Sequence, residues 1–397
     1  MKSLLNIMQI WLHEAAEIIR DKGILTFILF VPLVYPLLYS YVYTNEVVRD
    51  VPVVVVDDSG SSLSREIIRR MDATPDMRVA GICTDMEAAV EHIRRREAYG
   101  IVHIPAELTR ELQQGCQVAL GVYCDMSSML YYKALVLAAT NVSLEVNKHI
   151  KVRGYIPGST DREDEVARTP IEYDYVALYN PQSGFAAFLI PPVLMLIIQQ
   201  TLLLGIGMST GNSREINMGS VIPLHRCYKN PVHIVAGKAL PYFMLYIVLA
   251  VYMFVFVTDA FALPRLGRYT TFLAFAVPYV LACIFLAMVL SAFIYRREDC
   301  IMLLVFLSVP MLFLSGVSWP AVSMPRFWHW LSWLFPSTFG MNGYVKIASM
   351  GASLSDVRTE YMALWAQAGV YFLLACAFYR RQIRSLLKRM KPITTNT

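Results

Sequence analysis

Charged residues are scarce in this chain: Asp, Glu, Lys and Arg make up 16% of its 397 residues, whereas 56% are hydrophobic. Soluble domains carry about 25% charged residues, so this composition excludes a cytosolic globular enzyme, a disordered chain and a secreted disulfide scaffold. The hydrophobic residues are concentrated in runs of about 20, long enough to cross a hydrocarbon core about 30 Å thick. The composition predicts an integral membrane protein with one large polar insertion.

Patterns typical of catalytic and metal sites are missing. His13-Glu14 begins a zinc-protease pattern without the second His, and Gly237-Lys238 resembles the end of a phosphate loop whose first glycine position holds Val232. The seven histidines lack metal-ligand spacing. We therefore expect no catalytic residue, metal or cofactor on this chain.

Ionisable residues are almost absent from the hydrophobic runs, with Asp259 near the outer end of the third. Ion-coupled transporters usually carry charged groups within the membrane, so secondary transport is disfavoured and an energy source on another chain is expected. The polar pair Gln199 and Gln200 remains in the second run. These glutamines either form a helix–helix hydrogen bond or line a substrate pathway.

Six segments predict membrane-spanning helices, because a lipid-facing backbone must satisfy its hydrogen bonds within its own segment. They are residues 24–43, 183–208, 239–263, 271–295, 300–314 and 361–379. Pro191-Pro192 predicts a kink or break in the second span, and Pro310 lies in the short fifth span. We expect these two spans to face protein or water rather than lipid.

The basic residues predict the orientation. The segments placed inside hold 15 Lys and Arg residues, whereas the two shorter outer segments hold five, so both termini should be cytoplasmic. Residues 44–182 would be extracytoplasmic; they contain 21 acidic and 15 basic residues, whereas the remaining chain has a net charge of +11. The basic residues border membrane spans, including the basic tail 380–397, which argues against nucleic-acid binding. Residues 1–23 form either an amphipathic helix along the inner membrane face or a simple cytosolic extension of the first span.

The polar insertion alternates strand and helix patterns, which predicts a compact α/β domain. Strands are expected at 51–58, 77–83, 99–105 and 117–124, and helices at 61–71, 84–96, 106–114 and 129–150. Ser61 or Ser62 should cap the first helix, and Thr84 with Glu87 the second. A polar segment, 153–182, links the domain to the second span.

Three cysteines fall within this insertion. Cys116 and Cys124 flank one predicted strand about 25 Å long, so they should not pair with each other. A bridge from Cys83 to one of them is left open.

The connector 209–238 predicts a short helix that begins at Arg214-Glu215, capped by Asn212 or Ser213 and ended by Gly219. Such a helix would be a rigid docking element on the cytoplasmic face. The alternative is an ordinary connecting loop.

Segment 315–350, which follows the fifth span, is rich in tryptophan. Four of the six tryptophans lie here, a residue type that favours the membrane–water interface. The segment is too apolar for a free loop, and its prolines and glycines interrupt a spanning helix. It predicts two short re-entrant helices that dip into the outer leaflet and are buried in protein or line a cavity.

Several motifs occur in order along the chain. They are Asp21-Lys22, VVVVDDSG at 53–60, YGIVHIPAELTRELQQG at 99–115, Arg214-Glu215, and Leu314-Ser315-Gly316 followed by Trp319-Pro320, Met324-Pro325 and Pro336-Ser337. In this order they resemble the permease subunits of ABC-2-type exporters, in the subset with a large extracytoplasmic domain between the first two spans. The connector departs from the family pattern at Asn217, where an acidic residue is frequent, and at Gly219-Ser220 in place of Gly-Thr.

The resemblance implies an α-helical polytopic membrane protein with six spans, a re-entrant helical segment and an inserted extracytoplasmic α/β domain. It also implies a bacterial inner-membrane location and a dimer with a second copy or a related permease. The five-span part 183–379 would dock a separate cytoplasmic ATPase, which binds ATP, and family members often act beside a membrane-fusion protein.

The implied residue roles follow the same motifs. Coupling to the ATPase would involve Arg214, Glu215, Met218 and Gly219, and the outer gate would involve Ser315, Gly316, Trp319, Pro320 and Pro336. Gln199 and Gln200 are candidates for the pathway only because they are polar residues within a span. The alternative function is a cell-surface receptor or scaffold similar to phage-infection proteins, without transport. Co-purification of a cytoplasmic ATPase distinguishes the two.

Overall fold

The computed structural model describes residues 2–114, 116–154, 179–180, 184–217, 221, 230–263 and 265–390. Its contacts divide the chain into two compact units. Residues 1–46 and 177–397 form a helical unit, called here the membrane unit, and residues 47–176 form the inserted unit.

The chain begins with two helices separated at one residue. Helix α1 spans Lys2–Arg20, and α2 spans Lys22–Val42 with a π-helical turn at Thr26–Phe30. Asp21 between them is extended, and its Oδ1 accepts the N–H groups of Gly23 (2.9 Å) and Ile24. This cap makes α1 a separate helix rather than a continuation of α2.

The inserted unit is a four-stranded sheet with helices on both faces. In chain order its elements are β1 Val51–Asp57, α3 Ser62–Asp72, β2 Met77–Cys83, α4 Met86–Arg94, β3 Gly100–Ile104, α5 Leu108–Gln113, β4 Gly121–Cys124 and α6 Met129–Gly154. The strand order is β2-β1-β3-β4, with β4 antiparallel to β3 and the other pairs parallel. Val53 and Val55 pack on one face of β1, and Val54 and Val56 on the other. The valine run is therefore a central strand buried on both sides.

Local details of this unit partly differ from expectation. Ser61 caps α3 through the N–H of Ser64, as predicted. Asp85 caps α4 by accepting the N–H of Ala88 at 2.7 Å, so the prediction of Thr84 is wrong; Asp85 is the extended residue directly before the helix. Strand β4 begins at Gly121, four residues later than expected. The three cysteines Cys83, Cys116 and Cys124 are free thiols, so no bridge forms.

The remaining helices belong to the membrane unit. They are α7 Phe185–Ile216, α8 Pro231–Ala260 with a π-helical turn at Tyr252–Val257, α9 Tyr269–Leu290, α10 Arg297–Leu314, α11 Arg326–Ser332, α12 Pro336–Met350 and α13 Arg358–Met390. Among the described residues, five helices are long and apolar enough to cross a membrane: α2, α7, α8, α9 and α13. Helix α10, the fifth predicted span, begins with three charged residues, so its apolar part is short.

Helix α7 is the most buried of the five candidate spans and packs against α9, α10 and α12. Its helical structure continues through Pro191 and Pro192, so the predicted break is absent. Both prolines are buried, which is the setting in which neighbouring helices compensate the lost hydrogen bonds. The helix also continues through Arg214 to Ile216, so the separate capped helix predicted in the connector is wrong: Asn212 and Ser213 lie inside α7.

Segment 315–350 contains two short helices, α11 and α12, as its proline spacing predicted. It opens with Gly316 at φ +85°, a backbone conformation that favours glycine, followed by a 3₁₀ turn at Ala321–Ser323. Its depth in a membrane stays a prediction. The basic tail is helical as far as Met390, the last described residue.

Candidate functional site

Arg214 lies in the last turn of α7 and is 4% exposed. Its guanidinium donates to the carbonyl oxygen of Ala292 at 3.0 Å and to that of Ile294, and lies 4.9 Å from the ring centre of Tyr295. These hydrogen bonds and the cation–π contact of the buried guanidinium connect α7 to the residues between α9 and α10. Arg214 therefore faces the interior of the membrane unit rather than a partner.

Glu215, the next residue, is exposed, and its Oε1 accepts the backbone N–H of Arg297 at 3.2 Å. Arg297 also forms an ion pair with Asp21, with Nη2 2.6 Å from Oδ1. Burial raises the pKa of Asp21, but hydrogen bonds from Arg297 and from Ile24 and the charge of Arg297 outweigh this and hold the pKa below its usual value. These contacts bring the start of α2, the end of α7 and the start of α10 to one place.

Close backbone packing reinforces this junction. A Cβ on Gly211 of α7 would lie 3.0 Å from the backbone nitrogen of Arg297, so only glycine allows this approach without a shift. The other two predicted coupling residues, Met218 and Gly219, lie outside the described residues.

A buried ion pair joins α1 to α8, a contact that sequence reasoning missed. Glu14 is 3% exposed, and its Oε2 lies 2.7 Å from Nζ of Lys238. Its Oε1 accepts the hydroxyls of Tyr242 at 3.0 Å and Ser209 at 3.1 Å. Ile10 and Ile18, on the same helical face as Glu14, are also buried. A carboxylate in the centre of an apolar helix face was the available signal.

Gln199 lies near the middle of α7 and is fully buried. Its Oε1 accepts the backbone N–H of Ser337 at 2.7 Å, and its Nε2 donates to Oγ of the same residue at 3.1 Å. Gln199 thus makes a helix–helix hydrogen bond. Gln200 is half-buried, and its buried Oε1 has no hydrogen-bond partner among the described residues.

The break between α11 and α12 is held by side chains. Three carbonyl oxygens at the end of α11 and directly after it each accept a hydrogen bond from a side chain. The Thr338 hydroxyl donates to Ser332 O at 2.7 Å, Gln367 Nε2 to Trp333 O at 2.7 Å, and the Tyr371 hydroxyl to Leu334 O. Irregular backbone with every group satisfied is what membrane depth requires.

The predicted outer-gate residues are spread along segment 315–350. Ser315 is buried, and its carbonyl accepts Nδ2 of Asn342 at 3.0 Å, while Gly316 forms the turn after α10. Trp319 is 56% exposed, Pro320 precedes the 3₁₀ turn, and Pro336 is the first residue of α12. Of these residues, Pro336 directly precedes Ser337, which contacts Gln199, whereas Trp319 lies on the surface.

A bundle of long apolar helices around a buried central helix, with an α/β unit inserted after the first of them, defines a polytopic helical membrane protein. Comparison with known families narrows this class. The model of the ABC-2 family transporter proteins matches residues 22–377. The chain therefore belongs to the ABC-2 family of transporters.

Two named relatives agree with this family. The inner membrane transport permease YhhJ of Escherichia coli (strain K12) is 22% identical over 395 residues, which cover 97% of this chain and 100% of that protein. The ABC transporter G family member 20 of Dictyostelium discoideum is 22% identical over 378 residues, or 92% of this chain. The matched part is 48% of that protein's length.

Proposed function

We propose that this chain is the membrane-spanning permease subunit of an ATP-driven exporter, that it forms a translocation path as a dimer, and that it docks a separate cytoplasmic ATPase. The family match over residues 22–377 and the full-length similarity to an inner membrane transport permease support this proposal. In this arrangement ATP is bound by the partner, and this chain contributes no catalytic group. The receptor or scaffold function has no comparable support.

The proposed orientation follows the distribution of charge. The basic ends of the helices lie on the cytoplasmic side of the inner membrane, and residues 44–182 lie on its extracytoplasmic side. The C-terminal end of α7, with Arg214 and Glu215, then faces the ATPase side. The other half of the dimer is a second copy or a related permease, and a membrane-fusion protein is a further candidate partner.

The observation that carries the proposal is the junction at the end of α7. Glu215 is exposed and reaches Arg297, while buried Arg214 is bonded to the residues between α9 and α10. A force applied by a partner at Glu215 would therefore move α7 and the start of α10 together. This is the mechanical connection that a coupling site requires.

The test begins with co-purification of the chain from its native membrane, where a cytoplasmic ATPase is expected in stoichiometric amount. Glu215→Ala should then lower the stimulation of ATP hydrolysis by the permease several-fold, because it removes the exposed contact. Glu298→Ala is the matched control, since Glu298 is also exposed at the start of α10. Absence of any ATPase would refute the proposed function, and equal behaviour of the two variants would refute the role of Glu215.

A further inference from the structure

Helix α7 links two polar contacts that lie far apart in the membrane unit. It is helical without interruption from Phe185 to Ile216, and it carries Gln199 and Arg214. Fifteen residues separate these two side chains, which corresponds to about 22 Å along a helix that rises about 1.5 Å per residue. A rigid displacement of α7 at Arg214 would therefore also move Gln199.

Gln199 supplies an acceptor that α12 lacks. The residue before α12, Phe335, has no side-chain acceptor, and its first residue, Pro336, has no N–H. Ser337 therefore carries the first free N–H within α12, and Oε1 of Gln199 accepts it. A side chain from another helix acts here as the N-terminal cap.

The opposite side of the same break is held by a different helix. Gln367 and Tyr371 of α13 donate to the carbonyl oxygens that follow α11. The break between α11 and α12 thus lies between two anchors, α13 at the end of α11 and α7 at the start of α12. Both polar ends of the Gln199 amide are already bonded to Ser337, which favours an anchoring role over the lining of a substrate pathway.

We propose that Gln199 is the positioning residue through which movement of α7 reorients α12 and the preceding tryptophan-rich segment. This inference rests on the proposed function, because the movement of α7 is taken to originate at the ATPase. When α7 shifts, the capped end of α12 shifts with it, while the α13 contacts hold the end of α11. The connection between the two short helices then changes its angle.

The experiment uses the full chain with its co-purified ATPase in lipid nanodiscs. Val322, 98% exposed within segment 315–350, is replaced by cysteine and labelled with an environment-sensitive fluorophore, in a background carrying Cys116→Ser. A sample without Val322→Cys gives the labelling background. Fluorescence is compared between the nucleotide-free complex and the complex trapped with ATP and orthovanadate, and ATP hydrolysis is measured in the same samples.

With Gln199 present, trapping should change the fluorescence. Gln199→Leu should reduce this change at least about fivefold, because it removes both hydrogen bonds to Ser337 and the loss of one buried hydrogen bond already shifts an equilibrium about fivefold, while ATP hydrolysis and trapping persist. Gln200→Leu is the matched control and should retain the full change.

The outcomes separate the two proposals. A full fluorescence change in Gln199→Leu would overturn the positioning role and leave the proposed function intact. No co-purified ATPase would overturn the proposed function itself, and an ATPase complex whose fluorescence never responds to trapping would overturn only the inference. If Gln199→Leu fails to assemble, Gln199→Met decides: its side chain is about as long as that of Gln199 but has no amide oxygen to accept the Ser337 N–H, and an undiminished fluorescence change in that variant would overturn the role.

Discussion

Removal of one member of the Glu14–Lys238 ion pair is expected to destabilise the membrane unit strongly. In Lys238→Met the buried carboxylate would keep only the hydroxyls of Tyr242 and Ser209 as partners. Breaking a buried ion pair in this way costs about 3–5 kcal/mol, because the remaining charge is left without compensation. We expect a decrease of that size in the free energy of unfolding.

The double variant Glu14→Leu/Lys238→Met distinguishes ion pairing from simple loss of packing. It removes both charges, a replacement that is often neutral, although the two hydroxyls lose their acceptor at about 1–3 kcal/mol each. The double variant should therefore be about as stable as Lys238→Met alone. The costs of the two single changes should add up to more than the cost of the double variant, by at least about 3 kcal/mol.

The assay is chemical unfolding of the purified chain in detergent, followed by helical circular dichroism. Arg95→Met is the control, because it breaks an exposed pair with Glu91 (3.0 Å) that should contribute about 0–1 kcal/mol. A cost below about 1 kcal/mol for Lys238→Met would refute the buried pair. Strictly additive costs in the double variant would refute the coupling between the two residues.

Two further predictions concern packing and pH. Gly207→Ala should lower the thermal stability of the membrane unit, because the added Cβ would lie 2.3 Å from a cysteine sulfur of α10. Gly369→Ala is the control and should be neutral or stabilising, because a Cβ there would meet no atom within 4 Å. Equal melting temperatures of the two variants would contradict this packing. Because the folded pKa of Asp21 is lowered, its contribution to stability is present above its unfolded pKa of about 3.9 and is lost as the pH falls through the folded pKa. Asp21→Asn should therefore lower the melting temperature of the chain at pH 7. The difference in melting temperature between the variant and the unaltered chain should become smaller below about pH 4, and a difference that does not change with pH would contradict this prediction.

The inserted unit was predictable in outline because its signals are local. The run VPVVVVD contains consecutive β-branched residues, and a strand buried on both faces needs apolar residues at every position. The cap at Ser61 was equally local. Thr84 failed as a cap because Thr84 and Asp85 are both good capping residues, and the residue types alone do not determine which of the two takes the extended backbone conformation before the helix.

The end of α7 was harder to predict. Asn212 and Ser213 are good capping residues, and a helix start at Arg214 was a reasonable interpretation of them. Packing overrides that local preference: Gly211 fits against the backbone of Arg297, and Arg214 is buried against the carbonyl oxygens beyond α9. Tertiary contacts with α10 thus keep the helix continuous where residue preferences alone favour a new start.

The membrane class, the inserted α/β unit and the two short helices after α10 follow from the amino-acid order, because the length of apolar runs, periodicity and proline spacing are properties of neighbouring residues. The partners of the buried polar side chains do not follow from the amino-acid order. Glu14 meets Lys238 across 224 positions, and Gln199 meets Ser337 across 138. Such pairs depend on how the helices pack: a buried charge or amide requires a partner, but the sequence does not indicate which residue supplies it. The tertiary structure of the membrane unit determines these partners.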